Sequence, residues 1–591
     1  MKKLLALTIA IIMLVAFLAA CAGDDPAPPT NDTPGTDAPA TDDPPATEDD
    51  PPATTDDPPA VTGGGTREFV EPPPGHWDQP FPETVTITAA APHGANWHFR
   101  GNDDVNNNPW TRLYLERLNV EVVFDWTIVD GYAERLNMQI AANDLPDVWS
   151  IGLDSDSRLF NQLQAAGTIL DLTDAYRTYA SQRIQDFELT DPYTIQNFMV
   201  DGRIYGLPRY YYGQIDQPWH MWVRKDWYEA EGSPEIRTVE DLENLMRAFM
   251  DNHDAQYGIG VNDNMQWLMR TAPMFGAYIG DIHENSYFWR PDDTGRLRPG
   301  ISFPEFEVAL ENWARWFSEG FISPEFMMML EHGGRAQEDI VNGVVGMHAW
   351  WQWWGWYSGP AIVDNLNNVD AYFIPLNLPT VDGAQPARGQ IFFPNRDILV
   401  ANANFQNPAA WMRVLSLVDH MIFSPDANLS QDELEYLMLE GMEHAMAFPF
   451  KMIDPQTDML QYQHVLHALE TGDTSELFTT GMQFKHRDSL AWINNHESHG
   501  LGAYLQMGFD GSAYARSQHL FDIGRVVTTG MWGVAPPEFA DAGATGDILM
   551  EEIMSIIMGN RPASDWPDIL EQWYARGGQI KEDAVNLHFG G

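Results

Sequence analysis

Three stretches that alternate apolar and polar residues, separated by two stretches with helical spacing, stand at the beginning of the well-patterned part of this chain. Residues 85–89, 120–124 and 147–151 have the alternation of strands, whereas 110–118 and 132–142 carry apolar residues at helical spacing. Strand, helix, strand, helix, strand is typical of a parallel sheet covered by helices on both faces. Open sheets of this kind bind ligands at the carboxyl ends of their strands. The pattern therefore predicts an α/β fold with a ligand crevice.

The rest of the chain is long enough for more than one such unit. With 591 residues, of which 44% are hydrophobic and 20% charged, the composition is that of a soluble globular protein with core for two to four domains. Periodicity predicts further helices at 239–250, 305–317, 407–420, 544–558 and 566–576. No repeat of 20–50 residues is visible.

The N-terminus has the pattern of an export signal that ends in the only cysteine. Lys2 and Lys3 precede an apolar stretch at 4–17, and Leu18-Ala19-Ala20-Cys21 follows. This arrangement resembles the lipobox of bacterial lipoproteins, which implies cleavage before Cys21 and lipid attachment to its sulfur. The alternative is a plain signal peptide or a short membrane anchor with an incidental cysteine. One cysteine excludes an intrachain disulfide and a cysteine metal cluster.

A proline-rich acidic segment follows the predicted signal peptide at 1–20. Between residues 22 and 66 there are 11 acids and no base, in stretches such as DDPPAT and EDDPPATT. Such a segment has almost nothing apolar to bury, so we predict a disordered linker at 21–82 that acts as a tether. Proline and like charges extend such a chain, and at about 3.1 Å per residue it could reach over roughly 100 Å.

The chain is strongly acidic, with 85 acidic against 33 basic residues and a formal net charge of −52. This charge repels nucleic acids, anionic lipids and polyanionic ligands, so we expect no nucleic-acid partner. It favours a neutral or cationic ligand, although the excess also serves simply to keep an exported protein soluble.

Seven stretches, in order, resemble segments of the extracellular solute-binding proteins of sugar ABC importers, in particular the large lipoprotein branch typical of Gram-positive bacteria. They are YAERLNMQIAANDLPDVW (132–149), AAGTILDLTDAYRTYA (165–180), DGRIYGLPRYYY (201–212), WVRKDWYEAEG (222–232), WFSEGFISPEF (316–326), IVNGVVGMHAW (340–350) and IIMGNRPASDWPDILEQWYARGGQIKEDAVN (556–586). Each motif is weak alone, but their order and the preceding lipobox strengthen the resemblance. It covers roughly residues 83–590.

The resemblance implies a two-lobed periplasmic-binding-protein-like fold of type II, with a hinge that closes around the ligand. Residues 83–208 and 376–425 are expected to form lobe 1, and 209–375 and 426–591 lobe 2. The implied function is capture of a carbohydrate, most readily an oligosaccharide, by a monomer that delivers it to an ABC permease. The implied location is the outer face of the cytoplasmic membrane, where Cys21 would be the lipid anchor.

The resemblance implies no catalysis and no cofactor, and this chain departs from the family at one place. Many relatives carry a calcium-like loop after the helix that follows the Arg-Lys-Asp-Trp segment. Here that place holds DNHDAQYGIG with Asp251, Asn252 and Asp254, which is too short for a calcium loop. We therefore expect no bound metal.

Residues 346–359 read GMHAWWQWWGWYSG, which places five of the 22 tryptophans within positions 350–357. This tryptophan run is far too short to span a bilayer, which needs about 20 apolar residues. A strand or helix buries only one face, so some of the rings should be available to a ligand. In the family, an aromatic residue after a strand at this place lies under a pyranose ring. Trp353 is nearest to that position, with Trp350 and Trp354 as neighbours, and the other rings are expected to pack behind them.

Other candidates for the cleft come from the same resemblance and from residue chemistry. Asp154, after the third strand, matches a position that holds a sugar hydroxyl in relatives, and its alternative is an exposed loop acid. Arg209 could bind vicinal hydroxyls or a carboxylate, or pair with an acid across the hinge. The expected aromatic lining is completed by Trp97, Tyr210, Tyr211, Tyr212 and Trp219.

Two other functions remain open from the sequence. A lipoprotein that only adheres to glycans would show the same aromatic residues, and a surface glycosidase needs only a pair of carboxylates among many. The stretch His496-Glu497-Ser498-His499 lacks the spacing that places two imidazoles on one helix face for zinc. Gly511-Ser512 lacks the flanking glycines of a nucleophile elbow. These absences favour binding over catalysis.

Overall fold

The computed structural model describes residues 64–92, 99–128, 131–190, 195–210, 213–262, 265–282, 286–326, 334–357, 359–392, 395–423, 450–452, 454, 456–542 and 546–590. The predicted signal peptide at 1–20, Cys21 and most of the predicted linker lie outside these residues.

The strands and helices alternate along most of the chain. In chain order the strands are β1 (Val85–Pro92), β2 (Val120–Ile128), β3 (Val148–Gly152), β4 (Met199–Val200), β5 (Arg203–Ile204), β6 (Leu207–Tyr210), β7 (His220–Arg224), β8 (Gly280–Asp281), β9 (Ser286–Tyr287), β10 (Trp289–Pro291), β11 (Leu297–Pro299), β12 (Met347–Trp350), β13 (Phe373–Asn377), β14 (Gly389–Ile391), β15 (Asn395–Ala401) and β16 (Val526–Thr528). The α-helices are Pro109–Leu118, Tyr132–Ala142, Leu153–Ala165, Thr173–Tyr179, Gln182–Thr190, Lys225–Ala230, Val239–Asn252, Gln266–Met269, Pro304–Ser318, Gly334–Val341, Trp354–Tyr357, Gly359–Leu366, Pro408–Phe423, Thr457–Thr471, Thr480–Asn495, Leu501–Met507, Ala513–Asp522, Pro537–Asp541, Gly546–Ile557, Trp566–Trp573 and Gln579–Phe589.

The first helix shows how the local sequence sets these boundaries. The side chain of Asn108 accepts hydrogen bonds from the backbone N–H groups of Trp110 and Thr111, at 3.0 and 3.2 Å. Thr111 returns the contact by accepting from the Asn108 N–H at 3.0 Å, which completes a capping box. The helix ends at Asn119, whose φ of 55° is left-handed, a conformation that asparagine tolerates better than most residues.

A five-stranded sheet in the order β2-β1-β3-β15-β6 is the centre of the part of the molecule that we call the first lobe. β1 is parallel to β2 and β3, which confirms the pattern predicted from residues 85–151. β15 runs antiparallel to both β3 and β6. The helix Pro408–Phe423 packs its apolar face on this sheet, where Trp411, Val414 and Val418 are fully buried.

A three-stranded antiparallel sheet in the order β12-β7-β13 belongs to the part that we call the second lobe. β13 includes residues 376 and 377, so it crosses the lobe boundary expected at 376 and pairs throughout with β7. The chain passes from the first sheet to the second between β6 and β7, and returns between β14 and β15. The predicted helices at 239–250, 305–317, 407–420, 544–558 and 566–576 are all present with small shifts of their ends.

Residues 64–82 correct the predicted extent of the linker, because they pack on the first lobe. Val70 and Phe81 are buried, and the Val70 N–H donates to Asn407 Oδ1 at 2.8 Å. The buried Arg413 donates to the backbone carbonyls of Gln79 and Pro73, at 2.5 and 2.6 Å. Proline-rich composition disfavours helix and sheet, but it leaves carbonyls and a few apolar side chains available for docking. We refer to residues 64–82 as the docked segment.

Candidate functional site

The tryptophan run begins at the end of β12 and continues through a turn into a short helix. Trp350 is the last residue of β12 and pairs with His220 of β7. Residues 351–353 form the turn, and the helix Trp354–Tyr357 follows. Residues 211–219 connect β6 in the first lobe to β7, which pairs with β12. The tryptophan run, which begins at the end of β12, therefore lies beside this connection.

Three of the tryptophans form one partly exposed cluster. The ring centroids of Trp350, Trp351 and Trp353 lie 5.6 Å (350–351), 5.3 Å (350–353) and 5.7 Å (351–353) apart. All three side chains are half-buried. Spacings and tilts of this kind are favourable for aromatic rings, and they hold the indoles as a rigid surface. We call Trp350, Trp351 and Trp353 the indole cluster.

A buried arginine supports the indole cluster. The Cζ atom of Arg270 lies 3.9 Å from the ring centroid of Trp350 and 4.0 Å from that of Trp351. Arg270 is 2% exposed, and its Nη2 donates to Gln266 Oε1 at 3.2 Å. A desolvated cation on an indole face contributes about 2 kcal/mol, so Arg270 stabilises the orientation of two of the three rings.

Gln352 anchors the turn on the side opposite to solvent. This side chain is 3% exposed, and its Nε2 donates to Asp216 Oδ1 at 2.9 Å. Gln506 Nε2 donates to Gln352 Oε1, and Tyr514 O–H donates to Asp216 Oδ1 at 2.5 Å. Burial raises the pKa of the Asp216 carboxyl well above its usual value, and the neighbouring Asp458 carboxyl raises it further. This network ties the turn to the connection between the lobes, because Asp216 belongs to residues 211–219.

Trp354 does not belong to the exposed surface, which corrects its prediction as a neighbouring cleft ring. It is 2% exposed, and its ring centroid lies 4.3 Å from that of His348, 5.0 Å from Phe373 and 5.5 Å from Trp222. The cause is the change from turn to helix at this residue, which points the side chain towards the sheet. Trp356 on the same helix is 37% exposed.

Two fully buried histidines lie in the strands beside the run. His220 Nε2 is 3.2 Å from Ser517 Oγ, and the ring of His348 lies between Trp267 and Trp354, at 4.9 and 4.3 Å between centroids. Burial, with a smaller effect of a nearby arginine in each case, lowers the pKa of His220 to about 3 and that of His348 well below its usual value. Both imidazoles are therefore neutral at physiological pH.

Arg209 and Trp219, two of the predicted site residues, have protein partners. Arg209 is 4% exposed, and its Nη1 donates to Asp397 Oδ2 at 2.8 Å, across the β6–β15 pair. Arg209 therefore pairs with an acid, which was the alternative to a ligand contact, but it does so within the five-stranded sheet and not across the hinge. Trp219 is buried, with its ring 6.2 Å from that of Phe392 and 5.7 Å from the Arg270 guanidinium.

The remaining predicted residues are placed by their backbone or lie outside the described part of the chain. Asp154 is in the first turn of the helix Leu153–Ala165, directly after β3, rather than in a loop. Tyr210 is the last residue of β6. Trp97, Tyr211 and Tyr212 lie outside the described residues.

Sequence reasoning missed the polar residues that position the indole cluster. Gln352 offered a signal, because it is the polar residue inside Trp-Trp-Gln-Trp-Trp and a buried amide needs partners. Arg270 offered none, since it is 80 residues before Trp350 in the chain.

Within the described residues, no three histidine, cysteine, aspartate or glutamate side chains are grouped so as to hold a metal ion. None of the helices in the same residues has the length and apolar character needed to cross a membrane.

Two curated relatives are similar to parts of this chain, and no protein-family model matches it. Lipoprotein LipO of Bacillus subtilis is 22% identical over 239 residues, which cover 38% of this chain and 43% of LipO. The fructooligosaccharide ABC transporter substrate-binding protein FusA of Streptococcus pneumoniae is 29% identical over 151 residues, 24% of this chain and 28% of FusA. The chain thus matches less than half the length of these relatives.

Solved structures match over most of the chain. A solute-binding protein of Bifidobacterium longum infantis, described as binding HMO and associated with an ABC transporter, has a TM-score of 0.58 at 14% identity, covering 87% of this chain and 100% of that one. FusA in complex with kestose has a TM-score of 0.56 at 14% identity, with 85% and 99% covered. The alginate-binding protein AlgQ2 has a TM-score of 0.54 at 16% identity, with 87% and 100% covered. These matches confirm the resemblance to the extracellular solute-binding proteins of ABC sugar importers, whose two-lobed fold this chain has.

Proposed function

We propose that this chain is the substrate-binding component of an ABC importer, which captures a carbohydrate, most readily an oligosaccharide, between its two lobes. The observation that carries the proposal is the indole cluster: three half-buried rings held rigid by Arg270 and by Gln352, beside the connection between the lobes. Two similar proteins support the same ligand class. FusA is named as a fructooligosaccharide-binding protein and was solved with kestose, and the Bifidobacterium protein is described as binding HMO.

The chemistry of an indole surface suits a sugar. A pyranose has a C–H face that stacks on a ring and a rim of hydroxyls that needs hydrogen bonds, and an indole provides a wide apolar face with one N–H donor. A rigid surface also loses little conformational entropy on binding. The net charge of −52 favours a neutral glycan over a polyanionic one.

The likeness in fold supports two further parts of this proposal, lobe closure and delivery to a permease. The ligand would be held between the five-stranded sheet and the β12-β7-β13 sheet, and the segments β6–β7 and β14–β15 would act as the hinge. The proposed lobes keep the residues predicted for them, 83–208 with 376–425 and 209–375 with 426–591, except that each inner boundary moves to its hinge segment, beyond β6 and beyond β14. The partner would be a permease in the same membrane.

Trp353→Ala tests the function. Removing a stacked ring takes away buried area and the ring-specific attraction, on the order of 1.5–3 kcal/mol. The Kd for an oligosaccharide found by screening the purified protein against a glycan panel should rise about 10- to 150-fold, with the melting temperature nearly unchanged. Calorimetric titration of wild type and variant measures both. Product analysis after long incubation should recover the oligosaccharide intact. If Trp353→Ala binds the oligosaccharide as tightly as wild type, the indole cluster is not part of the binding site. If hydrolysis products are found, the protein is a glycosidase.

We further propose that Cys21 anchors the protein to the outer face of the cytoplasmic membrane. The support is the lipobox resemblance and the name of the relative LipO. Cys21→Ser removes the sulfur that the lipid requires, so the protein should move from the membrane pellet to the soluble fraction after cell fractionation. A variant that stays in the pellet is held there by something other than this thiol.

A further inference from the structure

The tryptophan run carries a further exposed ring that does not belong to the indole cluster. Trp356 is 37% exposed, more than any of the three half-buried rings of that cluster. It follows the buried Trp354 by two positions, which is about 200° around the helix Trp354–Tyr357. Trp353 is three positions earlier, a spacing that makes helical neighbours, and its carbonyl accepts from the Trp356 N–H at 3.1 Å. Trp356 therefore lies on the side of Trp353 and away from the sheet.

Two residues of the helix Leu501–Met507 hold the Trp356 ring in place. The ring lies against Gly502, where a Cβ would stand only 2.6 Å from Trp356 Cδ2, so the contact requires glycine. Trp356 Nε1 donates to Gln506 Oε1 at 3.3 Å, and Gln506 Nε2 donates to Gln352 Oε1. One buried side chain, Gln506, thus joins Trp356 to the residue that anchors the turn of the indole cluster.

The exposed part of the Trp356 ring is apolar. Because its N–H is directed to Gln506, the ring offers a neighbouring molecule area for stacking and no hydrogen-bond donor. Single exposed apolar side chains are ordinary on protein surfaces, whereas a contiguous apolar surface marks a binding site. Trp356 continues the indole cluster along the same run, so a ligand that covers Trp353 and extends beyond it would meet this ring next.

We infer that Trp356 is a second platform, on which a further sugar unit of an oligosaccharide stacks while another unit lies on the indole cluster. The inference rests on the proposed function and adds a length requirement to it. A sugar that covers only the indole cluster makes no use of Trp356, whereas a longer one gains the area of a second ring. Since this ring brings no donor of its own, it distinguishes sugars by their length and not by the hydroxyl pattern of the added unit.

Three series of neutral sugars serve as probes in calorimetric titration of the purified mature protein: glucose, maltose and maltotriose; glucose, cellobiose and cellotriose; and fructose, sucrose and kestose. In a series that the wild type binds, Trp356→Ala should raise the Kd of the longest member about tenfold, because it removes one stacked ring. The Kd of the shortest member that binds should stay as in wild type. Trp353→Ala should weaken every member. The melting temperature of Trp356→Ala should be nearly unchanged, since its ring is partly exposed.

Gly502→Ala provides a second variant that keeps the Trp356 ring but displaces it, and it should show the same selective loss for the longest member. Phe478→Ala is the matched control, since it removes a 46% exposed ring outside the run and should change no Kd. If Trp356→Ala and Gly502→Ala weaken short and long members equally, or weaken none, Trp356 is not a second platform and sugar capture stands without it. A wild type that binds no member of the three series and no glycan of the panel would overturn the proposed function itself, and the inference with it.

Discussion

Lowering the pH from 7 to 4 is expected to cost the folded protein about 3 kcal/mol through His220 alone, with His348 acting in the same direction. The unfolded imidazole has a pKa of about 6.5, whereas burial lowers the pKa of His220 in the folded protein to about 3. Between these values the unfolded chain binds a proton that the folded protein excludes. Stability is therefore complete above pH 6.5 and falls as the pH drops towards 3.

His220→Gln isolates this contribution. Glutamine keeps a side chain able to hydrogen bond to Ser517, which lies 3.2 Å from His220 Nε2, but it does not titrate. The loss of unfolding free energy between pH 7 and pH 4, measured by urea denaturation at each pH, should be about 3 kcal/mol smaller in the variant. His467→Gln is the matched control for the substitution itself, because His467 is exposed on the helix Thr457–Thr471. An identical pH dependence in His220→Gln and wild type would mean that His220 accepts a proton in the folded state.

Asp216 contributes a pH dependence of stability whose sign is opposite to that of the two histidines. Burial raises its pKa, so the folded protein retains a proton that the unfolded chain releases, and the stabilisation is lost as the pH rises. The hydrogen-bond network around Gln352 should consequently contribute most to stability slightly below pH 7, where the two histidines are still neutral in the folded protein.

Trp354→Ala is expected to lower the free energy of unfolding by about 3–5 kcal/mol, since it empties a fully buried site of a large ring. The ring contacts His348, Phe373 and Trp222, so its loss leaves a cavity between the sheet and the helix that follows the run. The indole cluster lies outside this cavity, and the folded fraction should bind sugar with nearly the wild-type Kd.

Denaturant unfolding and calorimetric titration should separate the two tryptophans. Trp354→Ala should lose stability and keep its affinity for the sugar, whereas Trp353→Ala should lose affinity and keep its stability. A Trp354→Ala protein that unfolds at the wild-type denaturant concentration while binding sugar weakly would place Trp354 at the ligand instead of in the core.

The sequence predicted the fold well, because the fold depends on periodic burial. The alternation at 85–89, 120–124 and 147–151 reflects strands packed on helices, and the helices after residue 239 appear where their apolar spacing predicts them. The linker was predicted too long because composition measures the capacity to form a core, whereas the docked segment buries only two side chains and is held mainly by polar contacts.

The site was harder to predict because neighbouring tryptophans have the same composition and different environments. Trp353 and Trp354 differ by one position, yet one is half-buried and the other is 2% exposed. The difference arises from the turn at 351–353. Its geometry depends on Gln352, which hydrogen bonds to Asp216 and Gln506, two residues far away in the sequence. Arg209 paired with Asp397 for a similar reason, since the acid comes from a strand 188 residues away.

The docked segment determines which part of the molecule bears a force applied to the chain that precedes it. Its contacts, through Val70, Gln79 and Pro73, are made to residues of the first lobe, and Arg67 also pairs with Asp147 there at 2.7 Å. A pull on the chain before residue 64 is therefore borne by one lobe and does not cross the β6–β7 or β14–β15 segments. If the protein is anchored through Cys21 as proposed, a force on the tether would reach the first lobe without passing through either proposed hinge segment.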